Sequence, residues 1–82
     1  LDDKNLSGLK LRGVDLRGAH LNGCNLRKAD LKGADLRDAR LRQADLRKVV
    51  LDEADLSGAD LRRAKLDGAS LKKAKLKKTK GL

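Results

Sequence analysis

Residues 29–48 run Ala29-Asp30-Leu31-Lys32-Gly33, Ala34-Asp35-Leu36-Arg37-Asp38, Ala39-Arg40-Leu41-Arg42-Gln43 and Ala44-Asp45-Leu46-Arg47-Lys48. Each unit of five carries a small apolar residue first and a leucine third. Extending the frame both ways, leucine recurs at every fifth position from Leu1 to Leu76 without a miss. The small column holds Leu9 and Val14, then Ala19, Cys24, Ala29 and onward to Ala74, with Lys4 the exception. Only two apolar residues of the chain, Val50 and Leu82, stand outside these two columns. The chain is one short unit repeated over its whole length, so a repeat architecture is expected, not a globular core.

Period five excludes the regular structures. Five residues advance an α-helix by about 140°, which would scatter the leucines around its axis and bury no face. A flat strand alternates with period two, so an odd spacing would send successive leucines to opposite sides. Within one unit, however, the small residue and the leucine are two apart and share a side. A bend in each unit restores parity between units. Short extended pieces joined by regular bends coil and stack, with the leucines inside and backbone ladders between turns. Leu16, Leu21, Leu26, Leu31, Leu36, Leu41, Leu46, Leu51, Leu56, Leu61, Leu66 and Leu71 are the expected structural core.

The bend falls two residues after the leucine. Gly8, Gly13, Gly18, Gly23, Gly33, Gly58 and Gly68 occupy that place, where a tight corner favours a residue without Cβ. Lys28, Asp38, Gln43, Lys48, Glu53, Arg63, Lys73 and Lys78 share the slot, so the expectation is a corner that prefers glycine without strictly requiring positive φ.

Units such as Ala29-Asp30-Leu31-Lys32-Gly33 and Ala59-Asp60-Leu61-Arg62-Arg63 resemble the A(D/N)LXX consensus of pentapeptide-repeat proteins, and the resemblance spans essentially the whole chain. It implies an all-β fold, a right-handed quadrilateral β-helix with four units to each square coil, hence about four coils here. Handedness and the number four come from the resemblance; spacing alone gives neither. Family members usually carry some phenylalanine at the central position. This chain has only leucine there, which alters core volume and leaves the fold expectation unchanged.

Composition agrees with a thin repeat core. The 82 residues contain no aromatic residue and no proline, 40% are charged, and the net charge is +9. Burying one leucine contributes roughly 1.5–3 kcal/mol, whereas fixing five backbones costs about 5–10 kcal/mol. No unit stands alone, and stability must come from contacts shared between coils. One domain, residues 1–82, is expected, with a register that holds from the first residue as in a rod cut from a longer chain. Neither a membrane span nor a signal peptide is legible, and the residues assign no compartment.

Residues flanking each leucine should face solvent. Asp15-Leu16-Arg17, Asp35-Leu36-Arg37, Asp45-Leu46-Arg47 and Asp60-Leu61-Arg62 then set opposite charges side by side, a self-neutralising wall. Charge along the chain is uneven: residues 1–61 hold 12 basic and 11 acidic groups, residues 62–82 hold nine basic and one. Arg62, Arg63, Lys65, Lys72, Lys73, Lys75, Lys77, Lys78 and Lys80 form a strongly basic terminal coil, suited to nucleic-acid phosphates, an anionic membrane surface or an acidic protein. The same lysines at the end of a solenoid also keep open edges from pairing. Val50 takes a place that is polar in every other unit, so it should be an exposed apolar contact spot.

Chemistry is not legible. His20, the one histidine, should point outward and Cys24 inward, so the two should not meet. No spacing suits a zinc or calcium site, and no glycine-rich phosphate loop is present, so no cofactor or metal is expected. The reading that follows is a non-enzymatic structural module presenting a rigid β-helix surface to a protein partner. The alternative is non-specific binding of nucleic-acid phosphates or another polyanion through the basic terminal coil, without aromatic side chains for base stacking. A third role comes from the resemblance only: some pentapeptide-repeat proteins act on DNA gyrase as acidic DNA mimics, and the sign of the charge here opposes it.

Overall fold

A computed structural model describes residues 1–82, and every five-residue unit follows the same backbone path. From Leu1 to Leu76, each fifth-position leucine carbonyl accepts the N–H three residues on, as Leu36 does from Ala39 at 3.0 Å, and these turn-closing bonds span 2.9–3.4 Å along the chain. Gly81 apart, positive φ occurs only at the third residue of each turn, the pattern of a type II turn. The chain therefore changes direction once per unit, and its coils stack.

One expectation about these corners is overturned. Asp3, Lys28, Asp38, Gln43, Lys48, Glu53, Arg63, Lys73 and Lys78 all adopt φ between 57° and 62°, beside glycines such as Gly33 at 69°. Positive φ is thus required at every corner and not only preferred. A side chain in this region costs about 1–2 kcal/mol, and the turn bond together with the coils on either side holds the backbone there.

Parallel bridges join Asn5 to Asn25, Asp15 to Asp35 and Val50 to Ser70, each across twenty residues. Twenty residues are four units, so the coil has four walls. Wall 1 holds Leu6, Leu26, Leu46 and Leu66; wall 2, Leu11, Leu31, Leu51 and Leu71; wall 3, Leu16, Leu36, Leu56 and Leu76; wall 4, Leu1, Leu21, Leu41 and Leu61.

Backbone donors are accounted for unit by unit. Leu36 N–H reaches Asp55 O at 2.8 Å and Asp38 N–H reaches Ser57 O at 3.0 Å in the following coil, while Asp35 N–H reaches Val14 O at 2.9 Å in the preceding one. The N–H of Ala39 closes the turn. The remaining donor, after the leucine, goes to a side chain: Arg37 N–H to Asp35 Oδ1 at 3.2 Å, and Arg27 N–H to Asn25 Oδ1 at 3.1 Å. This local bond is the physical reason for Asp or Asn before the leucine.

The core lies in the middle of the stack. Leu21, Leu26, Leu31, Leu36, Leu41, Leu46, Leu51, Leu56 and Leu61 are buried, with Cys24, Val49 and the intervening alanines. Leu16, Leu66 and Leu71 are half-buried, because each belongs to a terminal coil with no neighbour on one side. Leu1, Leu9 and Leu76 are exposed for the same reason. With coils about 4.8 Å apart, the stack is a square block, 26 × 23 × 20 Å, about as tall as it is wide.

Candidate polyanion and protein-contact surfaces

The stacking distributes the basic terminal run over every wall. Lys65 projects from wall 1, Lys72 and Lys73 from wall 2, Lys75, Lys77 and Lys78 from wall 3, and Arg62, Arg63 and Lys80 from wall 4. All nine are exposed. They form a belt around one end, and of their charged side-chain nitrogens only those of Arg62 lie within 4.0 Å of a carboxylate, that of Asp60. The belt surrounds half-buried Leu66 and Leu71 and exposed Leu76.

Wall 3 shows how charge is organised elsewhere. Arg17 pairs with Asp15 of its own unit at 2.8 Å and with Asp35 of the next coil at 3.8 Å. Arg37 repeats this with Asp35 at 2.7 Å and Asp55 at 3.9 Å. The result is a zigzag ladder in which each arginine separates two stacked aspartates that would otherwise repel at one ladder spacing. Hydrogen bonds from Arg37 hold the Asp35 carboxyl at about 2, and Arg47 does the same for Asp45, also at about 2. Asp60, bonded by Arg62 and Arg42, is lowered as well.

Sequence reading missed the lateral neighbour of Arg62. A step of twenty residues places Arg40 and Arg42 on wall 4 one coil before Asp60 and Arg62. Arg42 Nε donates to Asp60 Oδ2 at 2.7 Å, and Arg62 donates to the same carboxylate through Nε at 2.9 Å and Nη2 at 2.7 Å. The signal was present as a repeat of basic residues at a spacing of twenty, which becomes visible only once the coil length is fixed.

Val50 is half-buried, a correction to its expected exposure. It sits between Asp30 and Ser70 in the ladder of wall 2, and these neighbours cover its flanks. His20 is exposed on wall 4. Cys24 is fully buried and its thiol meets Leu1 O at 2.9 Å. No group of three His, Cys, Asp or Glu side chains converges to hold a metal ion. No helix is long and apolar enough to cross a membrane.

Square coils of five-residue walls define a pentapeptide-repeat β-helix. The family model for pentapeptide repeats matches residues 5–43 and 44–80, and the chain belongs to that family. A pentapeptide-repeat protein from the Arabidopsis thaliana thylakoid lumen is similar at 36% identity, with a TM-score of 0.92, over 94% of this chain and 53% of its own. One from Nostoc PCC 7120 is similar at 48% identity, with a TM-score of 0.81, over 82% of this chain and 55% of its own. The chain thus spans about half the length of each of these solved structures. Among curated proteins, none matches it. As in those relatives, the solenoid is a right-handed quadrilateral β-helix.

Proposed function

We propose that this block is a non-enzymatic interaction module that offers a rigid wall to a protein partner. The observation that carries the reading is the fixing of the outward side chains. Asp35, Asp45 and Asp60 each accept both a backbone N–H and an arginine of their own unit. Side chains already held in place lose little freedom when a partner docks, which removes a main cost of association. The test places a photo-crosslinking residue at one outward position per wall, at Arg27, Lys32, Arg37 and Arg40, in the full-length protein in its native source. A single discrete protein adduct from one wall or two adjacent walls is expected. Absence of any discrete adduct, or equal smears from all four walls, would remove the reading.

The lysine belt favours a second reading, non-specific attachment to a polyanion. Lys72, Lys73, Lys75, Lys77 and Lys78 have no carboxylate partner and so are available for phosphates. Affinity for nucleic acid should then fall steeply with salt, with log K changing by about −0.9 per tenfold rise in salt for each phosphate neutralised on duplex DNA. Gel shifts over a salt series decide it. Binding that survives Lys→Gln replacement of these five residues ends this reading. A DNA-mimic role finds no support on wall 3, where Arg17 and Arg37 neutralise the aspartate column.

A further inference from the structure

At the centre of wall 4, Arg42 and Arg62 stand one above the other and share a single carboxylate, Asp60, whose side chain is 15% exposed. Arg42 uses only Nε in this contact, and Arg62 uses Nε and Nη2. Both Nη groups of Arg42 and Nη1 of Arg62 make no bond within the chain, so the two guanidinium groups are anchored and still have donors to offer. This arginine ridge separates two shallow depressions. One, of about 360 Å³, includes Arg40 and Lys80 in its lining. The other, at the corner of Gln43 and Arg63, is about 410 Å³. Arg40, Arg63 and Lys80 are exposed and have no ion-pair partner.

Resting on the interaction-module reading, we propose that this ridge docks an acidic segment of a partner protein, laid in extended form along wall 4. Carboxylates on the segment meet the free edges of Arg42 and Arg62, in the geometry that favours paired N–H···O bonds. Arg40 and Lys80 flank it on one side and Arg63 on the other.

Size and sign favour a protein segment over nucleic acid. Arg40 and Lys80 are two ladder spacings apart, about 10 Å, the reach of about three extended residues. A strip of that length meets few phosphates, so the salt-dependent term that dominates nucleic-acid affinity is small. The chain has no aromatic side chain for base stacking. Asp38 also lines the depression that holds Arg40 and Lys80, without a cationic partner. It opposes a uniformly anionic polymer, whereas a peptide can set a serine or lysine against it.

The test measures binding of a fluorescent Glu-rich peptide and of a single-stranded DNA of equal charge by anisotropy, at one fixed salt concentration, with the full-length protein. Two double variants are compared. Arg40→Gln with Lys80→Gln removes two unbonded cations of wall 4; Lys28→Gln with Lys48→Gln removes equal charge from wall 1. Circular dichroism verifies that both fold as the parent does. The wall 4 variant should weaken peptide binding about tenfold, the equivalent of roughly 1.4 kcal/mol, and the wall 1 variant by less than about threefold. Equal weakening by both variants overturns the proposal, because only net charge would matter. Tighter binding of the DNA than of the peptide also overturns it. If the wall 4 variant binds the peptide as the parent does while crosslinks from another wall persist, the ridge assignment falls and the interaction-module reading stands.

Discussion

Asn22 Oδ1 accepts the Arg42 N–H at 2.9 Å, across one full coil. The relationship replaces something missing. Eight units satisfy this N–H with Asp or Asn two residues earlier, but Arg42 is preceded there by Arg40. The column one coil below supplies the acceptor instead. Asp2 does the same for Asn22, whose own unit has His20, and Asp52 for Lys72, whose unit has Ser70. Asn22→Ala should therefore destabilise the fold by about 0.5–1.5 kcal/mol, the range for one net hydrogen bond, and Asn22→Asp should keep most of it. Urea unfolding midpoints measure both. An alanine variant as stable as the parent would mean that water satisfies Arg42 equally well.

The strained corners predict stabilising substitutions. Lys28 has φ 60° and makes no side-chain bond, so Lys28→Gly should relieve left-handed strain and raise stability by about 0.5–1 kcal/mol after the entropic cost of glycine. Lys73→Gly should behave alike, as Lys73 has φ 57° and no bonded side chain. In the other direction, a Cβ at Gly33 would meet nothing within 4 Å. Gly33→Ala then meets left-handed strain without a steric clash, a net loss of about 0.5–1 kcal/mol once the entropic cost of glycine is set against it. Denaturant midpoints of the three variants give the comparison. A neutral Gly33→Ala would contradict the positive φ.

How much of this could be seen in the sequence depends on distance along the chain. Period five and the inward pair of columns are local, and Leu31 with Ala29 is enough to read them. The corner conformation is local too, yet Lys, Arg and Gln in the slot hid it, because the mixture of residue types suggested tolerance where the stack imposes one geometry. Val50 was misjudged because its cover, Asp30 and Ser70, lies twenty residues away on either side. The wall 4 ridge was missed on the same ground. A run from Arg62 to Lys80 reads as one patch along the chain, but the coil divides it among four walls and joins Arg62 to Arg42.

Burial graded along the stack predicts graded costs. Leu41 is 1% exposed in the third coil and Leu76 is 40% exposed in the last. Leu41→Ala should cost about 3–5 kcal/mol, the transfer term plus a cavity that the stiff ladders cannot close. Leu76→Ala should cost less, about 1–2 kcal/mol, since only part of its side chain is out of water. Thermal or urea unfolding of both variants is the measurement. Equal losses would show that the terminal coil is covered in solution.

Acid should unfold this protein through its ion-paired aspartates. The carboxyls of Asp35 and Asp45 sit at about 2 because of hydrogen bonds from Arg37 and Arg47, against 3.8 for an unperturbed aspartate. Asp15, Asp30, Asp52, Asp55 and Asp60 are lowered too, by arginine or serine partners. A group whose folded pKa is depressed binds protons more readily when unfolded, so its contribution is complete above the unfolded value and disappears as pH falls through the folded one. Stability should be level from about pH 7 to 5 and fall continuously from about pH 4.5 to 2. Loss of the carboxylates also leaves 21 lysines and arginines without counter-charge, which adds repulsion. Asp35→Asn should flatten the slope between pH 4 and 2, because one coupled group is gone, while lowering stability at pH 7. Urea midpoints across this range check it. A midpoint that holds or rises on acidification would show that the zigzag pairs of wall 3 do not form in solution.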